Sequence, residues 1–292
     1  MNDFVTCIHN DVVVIICKFL PPADIITLYK MYPKILSKIT YIFSRRVGEE
    51  IDDFFRHVLG GEYAQFRQEM INSDAVLSGS LILQACLGKR WAGHSFNRLD
   101  VDLFVRVNPI YGEHNPDWRG EKAKGYTFYN NELKFKLGYT NLHNFLHDIK
   151  EKGSGYVTNS QYMDEMGENV ILRVNNYIIR KKYVFQVVEI NKEKHSSCPE
   201  FINNTVDFNI CKNFFRYTTE GFEIVLGDIT AILNKKATFN YVGSLVKSLR
   251  RCEKYMGREF SFTAANNLDA SSMKRFKKVL NPKPAITSIF HI

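Results

Sequence analysis

The sequence predicts an α+β protein with a small helical N-terminal module, a mixed-sheet core and a basic helical C-terminal part. Apolar residues recur at helical spacing in the first 48 residues, and short apolar or alternating segments typical of strands follow them. The helical pattern returns from Asp228 onward. The 292 residues suffice for one large domain or two modest ones, and we place the divisions at 1–48, 49–229 and 230–292.

The N-terminal module is predicted to contain three short helices. Two consecutive prolines, Pro21 and Pro22, end the first helix because proline lacks the N–H group and clashes with the preceding turn. Asp24 can cap the second helix, and Pro33 opens the third. Three short helices bury little surface, so the module is expected to pack against a partner or the next domain.

The central region is predicted to supply the strands. A short apolar strand at residues 75–77 leads into Ser78-Gly79-Ser80 and then a helix, and residues 101–107 alternate as a strand does. Asn175-Asn176 is the predicted turn of a later hairpin. Further strands are predicted at residues 170–175, 177–180, 183–190, 205–211 and 222–225, and helices at 141–150 and 241–255.

Composition argues for a soluble, cytoplasmic protein. Apolar residues make up 45% and charged residues 24%, which excludes a disordered or fibrous chain. Apolar runs all fall short of the roughly 18 residues that a membrane helix needs, so we expect no membrane segment. The six cysteines form no C-x-x-C pair, which favours reduced and mostly buried thiols over a zinc ribbon or a redox motif.

The positive charge is concentrated at the C-terminal end. The chain carries a net charge of +8, and residues 230–292 hold eight lysines and four arginines against three acidic residues. Such an asymmetry indicates a phosphate-rich partner such as RNA, or simply a solvated basic face. On a helix, four cations would share one face and could hold a triphosphate or an RNA backbone. They are Lys247, Arg250, Arg251 and Lys254.

The sharpest chemical feature is a pair of acids, Asp100 and Asp102, at the start of a predicted strand. Side chains at positions i and i+2 of a strand point to the same face, so the two carboxylates repel each other unless a cation joins them. Mg²⁺ or Mn²⁺, which prefer oxygen ligands, would resolve this repulsion. A D-x-D pair alone also occurs on ordinary solvated strands.

The Gly79-Ser80 turn upstream strengthens the functional interpretation. Glycine lets the backbone approach a phosphate, and the helix that follows offers unpaired N–H donors to an anion. A phosphate-binding turn followed by an acidic pair suits metal-dependent phosphoryl or nucleotidyl transfer. A third carboxylate is expected on a neighbouring strand. Asp207 is the best candidate because it lies among apolar residues, and Glu189 is its competitor.

The segment that contains both features resembles a known superfamily. Residues 75–84, Leu87-Gly88, Trp91 and residues 100–105 are similar to nucleotidyltransferases with the DNA polymerase β-like catalytic fold, especially uncharacterised members from large DNA viruses. The resemblance covers roughly residues 49–260. It implies a nucleotidyltransferase core and, for a viral protein, the host cytoplasm. It further implies that Gly79 and Ser80 bind an NTP, and that Asp100, Asp102 and Asp207 hold Mg²⁺.

Residues 8–47 resemble a second motif. The run from Asp11 to Leu28, with its Pro-Pro break, is similar to the F-box, which implies binding to a Skp1-type ubiquitin-ligase adaptor. An apolar helix face of this kind suits docking into a groove on a partner. A small helical cap packed on the catalytic domain is the alternative.

Two functions therefore remain after the sequence alone. The first is a Mg²⁺-dependent nucleotidyltransferase that moves a nucleoside monophosphate from an NTP to a hydroxyl of RNA, a protein or a small molecule. The second is an F-box-like adaptor whose transferase-like domain is inactive and only binds a target. A Mn²⁺-dependent glycosyltransferase is a third possibility, which the upstream Gly-Ser turn disfavours.

Overall fold

A computed structural model describes residues 10–31, 36–91, 99–108, 127–128, 140–150, 155–158, 170–239, 245–264 and 274. Within these residues, eight strands form one sheet and two strands form a small second sheet. The strands are β1 (Val76–Ser78), β2 (Leu99–Val107), β3 (Thr127–Phe128), β4 (Gly155–Thr158), β5 (Ile171–Ile179), β6 (Tyr183–Asn191), β7 (Phe214–Thr218), β8 (Gly221–Val225), β9 (Lys236–Phe239) and β10 (Ser261–Ala264).

The large sheet is mixed, as predicted. Its strand order is β3-β4-β5-β6-β2-β1-β7-β8. Strands β2 and β6 pair in parallel, whereas the other pairs of this sheet are antiparallel. β2 therefore lies near the middle of the sheet and is hydrogen-bonded to β6 on one edge and to β1 on the other.

Nine α-helices surround these strands in the described part of the chain. They are α1 (Asn10–Cys17), α2 (Pro22–Met31), α3 (Leu36–Leu59), α4 (Tyr63–Asn72), α5 (Ser80–Leu87), α6 (Asn141–Ile149), α7 (Cys198–Thr205), α8 (Ile229–Leu233) and α9 (Leu245–Met256). The Pro21-Pro22 break is confirmed between α1 and α2. Because α2 begins at Pro22, Asp24 lies in its first turn and is not its cap.

The two faces of the sheet have different coverings. On one face, Phe185 of β6 contacts Phe55 of α3 and Phe66 of α4, with ring centroids 6.1 Å and 5.8 Å away. Each of these fully buried phenylalanine side chains stabilises the fold by roughly 1.5–3 kcal/mol relative to exposure. The other face meets α7 in a smaller apolar cluster that includes Val188 and Phe201.

The predicted hairpin turn at Asn175-Asn176 is wrong. Strand β5 continues through both residues, and the turn lies at Arg180 and Lys181, whose φ angles are 49° and 57°. Both asparagines are buried in the strand because each finds a polar partner on β6. Asn175 donates to Glu189 at 3.0 Å, and Gln186 donates to Asn176 at 2.9 Å.

The predicted strand at residues 205–211 is also wrong. Helix α7 ends at Thr205, and the chain then passes through an extended segment into a 3₁₀ turn at Asn209–Cys211. Only a single bridge, Phe208 to Phe239, has strand character. The helix forms upstream because Ser197 caps it by accepting the Glu200 N–H at 3.1 Å. The alternating apolar side chains are buried without belonging to a sheet.

The predicted domain boundaries fall inside helices. The boundary between residues 48 and 49 interrupts α3, and the boundary between residues 229 and 230 interrupts α8. Helix α3 would therefore belong to both the N-terminal module and the core.

Two predictions from composition concern membranes and thiols. Across the described residues, the helices are all too short or too polar to cross a bilayer. Five cysteines are described, namely Cys17, Cys86, Cys198, Cys211 and Cys252, and all five are free and buried. Cys7 lies outside the described residues.

Candidate active site

The acidic pair lies on the sheet face that meets α7. Val101, Leu103 and Val105 of β2 are fully buried on the face of the sheet that packs against α3 and α4. The period of two then directs Asp100 and Asp102 to the opposite face, where both line a cavity. The predicted common orientation of the two carboxylates is therefore confirmed, and it follows from the alternation of apolar and acidic residues along one strand.

Gly79 brings the turn against this pair. In the β1–β2 register, Ser78 lies opposite Asp102, so the chain turns directly beside the acids. Gly79 has φ 88° and ψ −153°, a conformation almost restricted to glycine. A Cβ added at Gly79 would collide with the Asp102 carboxylate. Helix α5 starts at Ser80, so its free N–H groups lie next to the acidic pair.

Side chains on both sides of the turn hold it in place. The Ser78 hydroxyl donates to the Asn213 carbonyl at 2.7 Å, and Gln84 Nε2 donates to the Ser80 carbonyl at 3.3 Å. The Ser78 hydroxyl is thus engaged within the fold. Ser78, Gly79 and Ser80 all line the cavity.

The cavity has a volume of about 290 Å³ and combines charged and apolar walls. Its walls come from β1, β2, β5, β6, α7, α9 and the segment after α7. The lining residues are Ser78, Gly79, Ser80, Asp100, Asp102, Phe104, Ile171, Val174, Gln186, Val188, Phe201, Thr205, Val206, Asp207, Phe208, Cys211, Ser248, Arg251, Lys254 and Tyr255.

The electrostatics of the pair agree with a site for a cation. Burial, and to a smaller extent the neighbouring Asp100 carboxylate, raise the pKa of the Asp102 carboxyl to about 6. Lys254 and Arg251 act in the opposite sense on the same carboxyl. Burial also lowers the pKa of Lys254, an effect that Arg258 adds to and that the two aspartates oppose.

Asp207 lines the same cavity, but its carboxylate has other partners. It forms an ion pair with Arg251 and accepts a hydrogen bond from the Ser248 hydroxyl at 2.5 Å. Only 3% of Asp207 is exposed, so these partners compensate for its burial. Among the described residues, His, Cys, Asp and Glu side chains nowhere gather in groups of three that could hold a metal ion. The role of Asp207 as third ligand therefore stays a prediction.

The donor set of Asp100 and Asp102 nevertheless fits a hard divalent cation. Mg²⁺ commonly binds through one or two carboxylates together with water and substrate phosphates. Two carboxylates that share a face and repel each other, beside a glycine turn that lines the same cavity, have this composition. A cation held there would neutralise charge on both the carboxylates and the phosphates.

The predicted basic stripe of α9 divides between two environments. Arg251 and Lys254 line the cavity, together with Ser248 and Tyr255. Arg250 is exposed and is absent from the cavity wall. The side chain of Lys247 lies outside the described residues. Residues 248, 251, 254 and 255 fall on the side of the helix that meets the cavity, and residue 250 lies beyond Lys254 at the edge of that side.

Glu189, the competitor for the third carboxylate, lies on the wrong face of the sheet. Gln186 and Val188 of β6 line the cavity, so Glu189 points to the opposite face of the sheet, the one that packs against α3 and α4. There it pairs with Arg173 at 2.7 Å and with His143 at 3.1 Å. Burial raises the pKa of Glu189, but the hydrogen bond from His143 and the charge of Arg173 outweigh burial and lower it overall.

Replacing Glu189 with glutamine should destabilise the fold by about 2–3 kcal/mol at pH 7, because Arg173 and His143 lose a buried anionic partner. A carboxyl whose pKa is lowered in the fold stabilises the protein fully at pH values above its ordinary pKa of 4.5. This stabilisation is lost as the pH falls below 4.5 and through the lowered pKa of the folded state. The difference between wild type and variant should therefore shrink below about pH 4.5. Urea unfolding at pH 7 and pH 4 measures it, with exposed Glu62→Gln as the control.

Arg251→Ala should cost about 2 kcal/mol of stability, because it leaves the buried Asp207 carboxylate without its cation. Asp207→Asn should recover part of this loss in the double variant, with a coupling free energy of about 1–3 kcal/mol. Unfolding of wild type, both single variants and the double variant provides the cycle. Additive effects would contradict a direct interaction.

Some cavity residues were not identified from the sequence. Gln186, Ser248 and Thr205 line the site without belonging to any motif. Gln186 could have been found only with the strand register, which places it beside Asp102 on the neighbouring parallel strand. Lys254 was found as a member of the basic stripe.

Comparisons with known proteins yield a weak structural likeness. No protein-family model matches the chain, and no curated protein matches it. A CCA-adding enzyme in complex with CTP aligns with 9% identity and a TM-score of 0.40, over 76% of this chain and 43% of that chain. The Thermotoga maritima CCA-adding enzyme complexed with tRNA aligns with 10% identity and a TM-score of 0.41, over 75% of this chain and 42% of that one.

A tRNA-processing enzyme in an apo form aligns with 16% identity and a TM-score of 0.40, over 80% of this chain and 47% of its own. The chain thus spans less than half the length of each of these proteins. Likeness at this level does not transfer an activity, so the function has to be argued from the site itself.

Proposed function

We propose that the chain is a metal-dependent nucleotidyltransferase that moves a nucleoside monophosphate from an NTP to an acceptor hydroxyl. The observation that carries the proposal is the contact between Gly79 and Asp102, which joins a glycine turn to a pair of carboxylates within one cavity. Phosphate binding and metal binding thereby share one site, as phosphoryl transfer requires.

The residues of the turn would bind the phosphates. Gly79 lets the turn pass directly beside Asp102, and the first N–H groups of α5 and the Ser80 hydroxyl would donate to phosphate oxygens in the cavity. Lys254 and Arg251 add positive charge from the facing helix α9. This combination favours a substrate with several negative charges.

Asp100 and Asp102 would hold Mg²⁺ or Mn²⁺. When bound, the cation supplies charge neutralisation at the phosphates and stabilises the oxygens that gain charge during transfer. The protein contributes position: the two carboxylates are fixed by a central strand, and the turn is fixed by Ser78 and Gln84. Asp207 remains the candidate for a third ligand or for a group that helps activate the acceptor hydroxyl.

The direct test uses the full chain with α-labelled NTPs, Mg²⁺ or Mn²⁺, and a panel of acceptors that includes RNA, peptides and small alcohols. We expect label transfer together with pyrophosphate release, and we expect EDTA to abolish both. Binding of NTP that is independent of divalent cation and of the two aspartates would contradict the proposal.

A second candidate function is the F-box-like adaptor, which an exposed apolar helix face favours. Val12, Ile15, Ile16 and Phe19 of the α1 region follow helical spacing and are 45%, 53%, 43% and 79% exposed. Exposed apolar faces of this kind mark interaction sites more often than ordinary surfaces. The partner proposed from the resemblance is a Skp1-type adaptor.

Capture of a Skp1-type adaptor should be lost when Phe19 is replaced by aspartate, because a charge on this face opposes burial in a groove. Phe19 suits the experiment better than Ile25, since Ile25 is only 1% exposed and a charge there would disrupt the fold. A pull-down with purified adaptor gives the answer, with Val225→Asp as the exposed control on β8, outside residues 8–47. Failure of the wild-type protein to capture the adaptor removes this candidate.

A further inference from the structure

The cavity has two chemically different ends, arranged in order along β2. Asp100 lies at the end that contains the glycine turn, because β1 runs antiparallel and places Gly79 and Ser80 beyond the Ser78–Asp102 pair. Two residues further along the same face, Phe104 lines the cavity. In the register it is paired with Val188 of β6, which is paired in turn with Val174 of β5.

Helix α7 covers this second end. Phe201 lies 5.9 Å from Phe104 between ring centroids, and Val206 and Ile171 complete the wall. The polar neighbours on this side are the neutral groups Gln186 and Thr205. Among the described lining residues, the cations Arg251 and Lys254 come from α9. The charges of both interact with the Asp102 carboxylate, and the charge of Lys254 also interacts with Asp100. Asp207, the remaining charged residue of the described lining, forms an ion pair with Arg251 of α9. The wall formed by Phe104, Val188 and Phe201 is apolar.

In-line transfer places the triphosphate tail and the acceptor at opposite ends of the cavity. The attacking oxygen and the leaving oxygen lie on opposite sides of the phosphorus in phosphoryl transfer. If the triphosphate tail occupies the glycine turn and the cations, the α-phosphorus lies near the acidic pair. The acceptor must then approach from the side away from the turn, which is the side of Phe104 and Val188.

We propose that this apolar end is the acceptor subsite, and that it takes a hydroxyl on an uncharged aromatic or aliphatic body, such as the phenol of a tyrosine side chain or a small free alcohol. The inference rests on the proposed transferase function and names its acceptor class. An RNA strand fits poorly there, because a polyanion needs cations along its path and the described wall offers apolar and neutral groups.

The step balances without a further reactant. The acceptor oxygen forms a bond to the α-phosphorus, and the bond from that phosphorus to the bridging oxygen of the β-phosphate breaks. Pyrophosphate leaves with the electron pair, and the hydroxyl proton passes to solvent. Gln186 lines the cavity beside Asp102, and its Nε2 donates to Asn176 at 2.9 Å, so its amide oxygen would be the group that accepts a hydrogen bond from the acceptor hydroxyl.

The first test measures binding and does not depend on turnover. Ligand-observed NMR with N-acetyltyrosinamide, and with a short tyrosine-containing peptide, is performed on the full chain with Mg²⁺ and a non-hydrolysable ATP analogue. We expect at least one of these probes to bind, and we expect Val188→Thr to weaken its binding at least 5-fold by placing a hydroxyl in the apolar wall. Val225→Thr, an exposed change on β8, is the matched control and should bind as wild type does.

The two probes separate a free alcohol from a protein side chain as the source of the hydroxyl. Lack of binding by both probes overturns the inference. The inference also fails if Val188→Thr weakens binding of ATP but not of inorganic tripolyphosphate, because the apolar end would then hold the nucleobase.

The second test measures transfer of label from α-labelled ATP to N-acetyltyrosinamide, to the peptide and to a ten-nucleotide RNA. Transfer to a phenol and its at least 5-fold reduction in Val188→Thr support the inference. Transfer to RNA alone overturns it while leaving the transferase proposal intact. Absence of transfer to every acceptor, with the phenol still bound at the Val188 wall, counts against the transferase proposal and leaves the subsite supported by binding.

Discussion

Replacing Asp102 with asparagine is expected to reduce nucleotidyl transfer by at least about 100-fold, which corresponds to about 2.7 kcal/mol of lost transition-state stabilisation. Asparagine has nearly the same shape as aspartate, so the change removes the charge that would hold the cation and leaves the packing around Gly79 intact. Release of pyrophosphate from an NTP at saturating Mg²⁺ measures the effect.

The control for this experiment is Asp53→Asn. Asp53 is an exposed acid on α3 and lies outside the cavity wall, so its loss should leave the rate within about 2-fold of wild type. Asp100→Asn is expected to behave like Asp102→Asn, because both carboxylates line the same cavity. Full activity in the double variant would rule out metal binding at this pair.

The second large effect is expected for Gly79→Ala. The backbone at this residue has φ 88°, which an alanine adopts only with strain, and the new methyl group would displace the Asp102 carboxylate. We expect the free energy of unfolding to fall by about 2–3 kcal/mol and transfer activity to be lost. Equilibrium unfolding in urea and the pyrophosphate assay report the two effects separately.

Gly61→Ala is the matched control for the backbone. A Cβ at Gly61 meets no atom within 4 Å, and the residue lies in an exposed 3₁₀ turn, so the free energy of unfolding should change by less than about 0.5 kcal/mol. Wild-type stability and activity in Gly79→Ala would show that the contact between the turn and the acid pair is not needed.

The central motif could be predicted from the sequence because it is local. Asp100 and Asp102 are two residues apart on a strand, and the apolar residues between and after them define which face is buried. Gly79 and Ser80 follow an apolar strand and open an apolar helix, which places them at a strand-to-helix turn. Each of these inferences needs only the period of one element.

The third acid could not be predicted in this way. The choice between Asp207 and Glu189 depended on which strand lies beside β2 and on the residue that faces each carboxylate. Glu189 does lie on the neighbouring strand, but its position in the register turns it away from the cavity toward Arg173. Asp207 reaches the cavity from a segment that is not a strand, and Arg251 already neutralises its charge.

Residue type and short-range periodicity are enough to predict the α+β character, the Pro-Pro break, the common face of the acidic pair and the turn that precedes it. Four features emerge only from the folded chain: the position of Asp207, the exclusion of Glu189, the division of the basic stripe and the apolar end of the cavity. These depend on strand order and on helix rotation against the sheet. Both are set by burial between segments far apart in the chain, which local periodicity does not encode.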